Sequence, residues 1–153
     1  MGLKAKFDIN KLFAGVQAEL EDEVDAILTS ITAAMEEAVK MARSKDGLSV
    51  RDYQNQTGAL RSSIGFQIYD HGELFSENFE GVNLPGADNG LREGRLLAQE
   101  AAAPYKDTIV VVLVAGMDYA LAVESKGYDV LTGTTDKLQK ILEEAIETAR
   151  ETF

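Results

Sequence analysis

The residues in this sequence that could do chemistry are its carboxylates and a single histidine. Among 153 residues, 26 are acidic, one is His71, and cysteine is absent. These counts nearly exclude the nucleophile–base pairs of serine and cysteine hydrolases and the metal sites built from several Cys or His. A carboxylate pair that cleaves glycosidic bonds stays open on residue type alone. Because so many carboxylates form close pairs by chance, we predict no enzyme activity, no catalytic residue, no metal site and no cofactor.

The charge of the chain bears on its partners. The formal net charge is −11, and the 15 basic residues are scattered along the sequence. Phosphate backbones repel such a protein unless its basic side chains share one surface, so we predict no sequence-specific nucleic-acid binding. The first ten residues lack the apolar core of a signal peptide, and the longest aliphatic run is too short to cross a bilayer. We therefore expect a protein that is neither secreted nor bound to a membrane.

That aliphatic run, residues 109–114, is the stretch around which the rest of the chain must be organised. Six aliphatic residues rich in β-branched side chains, followed by Gly116, predict a strand that is buried on both faces. Asp118 can cap a short helix over residues 119–126, which Gly127 can end. A strand without a polar face needs cover on two sides, and the flanking segments must supply it.

A long amphipathic helix over about residues 9–43 is the first source of cover, starting at Asp8 or Asn10. Its apolar residues recur at helical spacing: Ile9, Leu12, Phe13, Val16, Leu20, Val24, Ile27, Leu28, Ile31, Met35, Ala38, Val39 and Ala42. Such a helix is about 50 Å long at ~1.5 Å per residue, which exceeds the ~30 Å width of one domain. Two interpretations stay open: the stripe meets a partner, or Gly15 breaks the helix and both pieces fold onto one core.

The middle of the chain predicts a hairpin followed by a loop. Thr57 can cap a short turn over residues 58–63, and Phe66 and Ile68 alternate with polar neighbours as in a half-buried strand. The turn signal Asp70-His71-Gly72, in which we expect a solvent-facing histidine, leads to a return strand ending at Phe79. Residues 80–94 read as a loop, and a short helix runs from Leu91 or Arg92 to Ala102, stopped by Pro104.

The C-terminal part predicts a strand over residues 128–131 and a last helix that starts at Thr134 or Thr135. The apolar residues of that helix also recur at helical spacing: Leu138, Ile141, Leu142, Ala145, Ile146, Ala149 and Phe153. Taken together, the sequence predicts an α+β fold, a small mostly antiparallel sheet packed by a long N-terminal helix and a C-terminal helix. We expect a single domain spanning residues 1–153, with a loop-rich insertion at about 80–104.

Two short segments carry a resemblance to a known family. The first contains Thr57, Gly58, Leu60, Arg61, Ser63 and Ile64 and stands before a predicted strand. The second follows the aliphatic strand, begins at Gly116 and contains Tyr119, Ala120, Val123, Glu124 and Gly127. Both segments, in this order and about sixty residues apart, resemble those of the bacteriophage head–tail joining and tail-completion (neck) proteins of long-tailed phages. In that family, a Thr-Gly-x-Leu-Arg-x-Ser-Ile segment precedes a strand, and a Tyr-Ala-x-x-Val-Glu-x-Gly segment forms a helix.

The resemblance implies a non-enzymatic virion part that acts by subunit–subunit assembly. Such a protein forms a homo-oligomeric ring at the head–tail junction, is a monomer or dimer in isolation, and contacts other phage neck and tail proteins. It is made in the host cytoplasm and ends in the virion. Neck adaptor, tail-completion and tail-terminator roles all stay open. The plain structural interpretation of the motifs is that Leu60 and Ile64 pack inward, while Arg61 and Glu124 form an ion pair within or between subunits.

Two rival functions belong to other classes. The first is a small dimeric intracellular binding or regulatory module that pairs through the N-terminal helix. The second is a hydrolase that uses two carboxylates, which a deep pocket with paired acidic residues of raised pKa would support.

Overall fold

The structure is a computed structural model that describes residues 2–8, 21–43, 59–81, 84–117 and 132–151. Within these residues the chain forms four strands and four helices: β1 (Leu3–Asp8), α1 (Glu21–Arg43), α2 (Ala59–Ser62), β2 (Ile64–Asp70), β3 (Glu73–Phe79), α3 (Ala87–Ala102), β4 (Ile109–Ala115) and α4 (Thr132–Glu151). The predicted α+β class, with an antiparallel sheet packed by an N-terminal and a C-terminal helix, is confirmed.

The sheet is built around β4. Its strand order is β1-β4-β2-β3, and every neighbouring pair is antiparallel. All seven residues of β4 are buried, because β1 and β2 hydrogen-bond its two sides and helices cover its two faces. The prediction of a doubly buried strand over residues 109–114 is confirmed.

Helices α1 and α4 cover the first face of the sheet. Ile27, Ile31 and Met35 of α1 lie in one apolar cluster with Phe66 of β2 and Leu113 of β4. The same cluster contains four residues of α4 at helical spacing: Leu138, Leu142, Ile146 and Ala149. The apolar stripe of α1 is therefore confirmed between Val24 and Ala42, and it is covered inside the chain. Its described part needs no second protein.

Helix α3 covers the second face and corrects the prediction for the middle of the chain. Ala98, Ala101 and Ala102 pack there against Val110, Val112 and Val114. Residues 80–94 were expected to be a loop and residues 80–104 a loop-rich insertion, but α3 begins at Ala87. The loop prediction is wrong for residues 87–94, because glycines there lower intrinsic helix propensity while tertiary packing outweighs that cost. The predicted helix end at Ala102 is confirmed.

The β2–β3 hairpin is confirmed, with one correction to its burial. His71 and Gly72 have φ angles of 51° and 88°, so both central turn residues are left-handed, as a two-residue hairpin of type I′ requires. The side chain of His71 is 66% exposed, as predicted. The half-buried pattern expected for β2 is wrong, because α3 covers its second face and leaves Gln67 fully buried.

Two element starts also differ from the predictions. Asp8, one of the two residues predicted to start the N-terminal helix, is the last residue of β1, a strand that was not predicted. The C-terminal helix begins at Thr132 rather than at Thr134 or Thr135.

Some predictions fall outside the described residues and stay predictions. They concern the helix start at residues 9–20 with the break at Gly15, the cap at Thr57, the short helix at residues 119–126, the strand at 128–131, and Phe153. No helix in the described ranges is both long and apolar enough to cross a membrane.

Candidate functional site

The first motif segment forms the entry to β2. Leu60 and Ile64 are buried in the core, as predicted from their place in the motif. Between them, the amide of Ser63 donates to the carbonyl oxygens of Ala59 and Leu60 at 3.0 and 3.1 Å. The hydroxyl of Ser63 also donates to the Leu60 carbonyl oxygen at 2.7 Å. Together these bonds close the one-turn helix α2 and direct the chain into the sheet, leaving Arg61 partly exposed.

The second motif segment starts where β4 ends, and its first residue meets the first segment. The amide of Gly116 donates to the carbonyl oxygen of Ser63 at 3.1 Å. Two segments about sixty residues apart thus share one end of the sheet. The remaining motif residues lie outside the described part of the chain: Thr57, Gly58, Tyr119, Ala120, Val123, Glu124 and Gly127. The ion pair between Arg61 and Glu124 therefore stays a prediction.

Helix α3 packs against this junction through Gly90 and Gly94. We call the set Ser63, Gly90, Gly94 and Gly116 the motif junction. A Cβ placed on Gly94 would lie 2.6 Å from the carbonyl oxygen of Ser63, and one on Gly90 would lie 2.9 Å from the Ser62 side chain. A Cβ on Gly116 would lie 2.5 Å from the Cα of Gly94. Three backbone segments therefore touch directly, and a side chain at any of the three glycines would separate them.

A buried arginine anchors the end of α1 next to the junction. Arg43 donates through Nε and Nη2 to the carbonyl oxygen of Ile64, at 3.1 and 2.9 Å. It also donates to the backbone and side-chain oxygens of Asn78, at 3.1 and 2.9 Å, and its Nη1 lies 3.7 Å from a carboxylate oxygen of Glu80. A buried charge is tolerated because these acceptors surround it. Nothing in the amino-acid pattern indicated this role beyond a basic residue in the last turn of a predicted helix.

A polar network lies on the α3 side of the sheet. The hydroxyl of Tyr69 donates to Gln67 Oε1 at 2.6 Å, and Gln67 Nε2 donates to Glu77 at 2.8 Å. Arg95 of α3 reaches the other oxygen of Glu77 at 3.4 Å. Burial, and secondarily the negative charge of Glu77, raises the pKa of Tyr69 above its ordinary value of 10.0. The tyrosine therefore stays protonated at neutral pH and acts as a donor that holds Gln67, not as a base.

Negative charge is concentrated on two of the helices. Helices α1 and α4 together hold eleven acidic and five basic residues, a net charge of −6 out of the −11 of the whole chain. Residues of these helices that do not point into the core, such as Asp25, Glu36, Glu143 and Glu147, are exposed. The layer formed by α1 and α4 is therefore an acidic face, which we call the acidic layer.

Comparison of the chain with protein-family models, with curated proteins and with solved structures finds no match in any of the three. The interpretation of the motif junction accordingly depends on its own residues and geometry.

Proposed function

We propose that this chain is a non-enzymatic structural component of the head–tail junction of a long-tailed phage, acting as a tail-completion or neck ring subunit. The observation that carries the proposal is the 3.1 Å hydrogen bond between Gly116 and Ser63. It joins two segments that were selected by resemblance alone, and it joins them at one end of one sheet. The first segment leads into β2 and the second follows β4, and the antiparallel pairing of these two strands holds the segments side by side.

The packing of the described elements suits a passive building block. Helices cover both faces of the sheet, and the motif junction is closed by backbone contacts that leave no room for added side chains. Arg43 connects α1 to the hairpin through hydrogen bonds, and Arg95 connects α3 to Glu77 of β3 through an ion pair. A ring subunit must keep its shape while force passes through it, and rigid interlocked layers provide that property.

The acidic layer gives the proposal an electrostatic element. We place it at the passage through which DNA travels, where negative side chains repel the phosphate backbone and keep DNA from adhering. In this proposal the partners are further copies of the chain and other neck and tail proteins, and the final location is the virion. A ring whose passage is lined by basic residues would contradict this placement.

The rival dimeric module loses part of its support. It required an exposed apolar stripe on the N-terminal helix, and in the described part of α1 that stripe is buried against α4 and the sheet. Residues 9–20 lie outside the described ranges, so the remaining form of this rival would have to pair through them alone.

Gene deletion followed by in-vitro complementation tests the proposal. In the strain that carries the gene, deletion should give filled heads and complete tails that stay separate, counted by electron microscopy. Adding the purified chain to the extract should then join them into infectious particles. Normal virions after deletion, or virions in which mass spectrometry finds none of this chain, would show that the proposed function is wrong.

A further inference from the structure

The two edges of the described sheet have opposite strand directions. All neighbours in the order β1-β4-β2-β3 are antiparallel, so β1 and β3 run in opposite senses. If a second copy is placed beside the first in the same orientation, its β1 lies antiparallel to β3 of the first. The all-antiparallel pattern then continues across the boundary without inverting either subunit.

The charges of these two edges are complementary on the α3 side of the sheet. Lys6 pairs with Val112, Val112 with Gln67, and Gln67 with Glu77, so Lys6 and Glu77 stand at opposite ends of one row across the sheet. Lys4 lies two residues from Lys6 and by strand alternation shares its face. In a second copy placed as above, Glu77 would stand opposite Lys6 at zero stagger, or opposite Lys4 at a stagger of two residues.

Strand β3, an edge of the described sheet, exposes two large apolar side chains. Leu74 and Phe75 are 49% and 39% exposed, next to the irregular register between Ile68 and Tyr69. Natural edge strands are commonly protected by charges and bulges against indiscriminate pairing. Here the irregular register limits pairing at the hairpin end, while Ser76 to Phe79 keep a regular antiparallel register with β2.

We propose that β3 of one copy pairs with β1 of the next copy, so that the sheet continues from subunit to subunit. This inference deepens the proposed function, on which it rests for the biological need for a ring, by naming the surface that joins the subunits. The occupant is a second copy of this chain because both complementary edges are on the same chain. The interface is heterologous, and such an interface closes into a ring when the rotation per subunit permits.

Cysteine cross-linking tests the pairing directly, since the chain contains no cysteine. Within one subunit, Lys6 and Glu77 are separated by three strand spacings, about 14 Å at ~4.8 Å each, beyond the ~7 Å that a disulfide spans between Cα atoms. The variant Lys6→Cys/Glu77→Cys should form covalent dimers, trimers and longer ladders on oxidation. A mixture of the two single variants should give covalent dimers that contain one chain of each.

The controls separate edge pairing from random contact. Lys4→Cys replaces Lys6→Cys in a second series, to cover a stagger of two residues. Lys140→Cys, on the exposed side of α4, should not cross-link to Glu77→Cys above the background. Dimers formed by Glu77→Cys alone would indicate a symmetric β3–β3 contact and would overturn the proposal, as would the absence of mixed dimers in both series at millimolar protein.

Charge reversal gives a second measurement that does not depend on cross-linking. Lys4→Glu/Lys6→Glu should weaken self-association by about tenfold or more in sedimentation, because Glu77 would then face like charge. Lys40→Glu/Lys140→Glu makes the same change in net charge on α1 and α4, outside the proposed interface. Equal effects of the two double variants, or no self-association of the parent chain, would overturn the edge pairing. Neither result would affect the virion experiment, so the two failures are distinguishable.

Discussion

Replacing Arg43 by methionine probes how α1 is fixed to the sheet. Arg43→Met keeps an unbranched apolar stem, but it removes four hydrogen bonds to Ile64 and Asn78. The carbonyl oxygen of Ile64 belongs to β2 and that of Asn78 to β3, so the lost hydrogen bonds are those that hold the end of α1 to the hairpin.

The size of the destabilisation depends on the buried acceptors that Arg43→Met leaves without a donor. A buried acceptor that loses its donor costs about 1–3 kcal/mol, and the variant strips donors from two backbone oxygens and one amide oxygen. Part of that cost is offset because the variant no longer buries a charge. We expect a net loss of about 3 kcal/mol in the free energy of unfolding, which lowers the Tm of a chain of this size by roughly 6–12 °C.

Chemical denaturation of the purified chain measures this loss, and α1 supplies a matched control. Lys40→Met removes the same charge from an exposed position in the same last turn, and it should change the unfolding free energy by less than about 0.5 kcal/mol. Arg43→Lys should fall between the two, because one ammonium cannot reproduce the planar fork that spans both carbonyl oxygens. If Arg43→Met and Lys40→Met prove equally stable, the reasoning about the anchor is refuted.

Three smaller perturbations test other parts of the structure. Gly94→Ala should cost about 1–3 kcal/mol of unfolding free energy in thermal melts, because its Cβ would lie 2.6 Å from a backbone oxygen. In the control Gly81→Ala the Cβ meets the side chains of Leu91 and Ala87 at 3.2 and 3.6 Å, and the unfolding free energy should change by less than about 0.5 kcal/mol. Gly72→Ala should cost about 1–2 kcal/mol, measured the same way, since its φ is 88°. The raised pKa of Tyr69 predicts a stabilisation that is fully present below pH 10.0 and is lost as the pH rises through the folded-state pKa. The difference in unfolding free energy between the wild type and Tyr69→Phe should therefore shrink above pH 10.0. A difference that stays constant with pH would contradict the assignment.

The parts of the fold that could be predicted are those in which apolar periodicity is strong. Helices α1 and α4 have long patterns of helical period and β4 is an unbroken apolar run; the structure buries most of the expected residues and leaves Val24, Ile141 and Ala145 half-buried. Strand β1 was missed because its alternation of Lys4 and Lys6 with apolar neighbours spans only six residues. Edge strands show only such short, polar alternation, and the helical pattern that follows made Asp8 look like a helix start.

The polar contacts of the site were beyond sequence reasoning for a different reason. Arg43 binds the carbonyl oxygen of Ile64, 21 residues away, and that of Asn78, 35 residues away. A backbone acceptor has no residue identity, so no pairing rule can locate it before the topology is known. The same holds for Gly116 and Ser63, whose hydrogen bond also joins two backbone groups.

The motif junction suggests why its residues have the identities they do. Gly116 lies against the backbone of Gly94, and Gly94 lies against the carbonyl oxygen of Ser63, so each position excludes a larger side chain at the next. Gly90, one turn earlier, is restricted in the same way by Ala59 and Ser62, and these glycines are the feature that made the start of α3 look like a loop. Small residues at these positions are explained by close packing without any bound substrate. In the assembly subunit that we propose, this junction would act through the shape that it fixes.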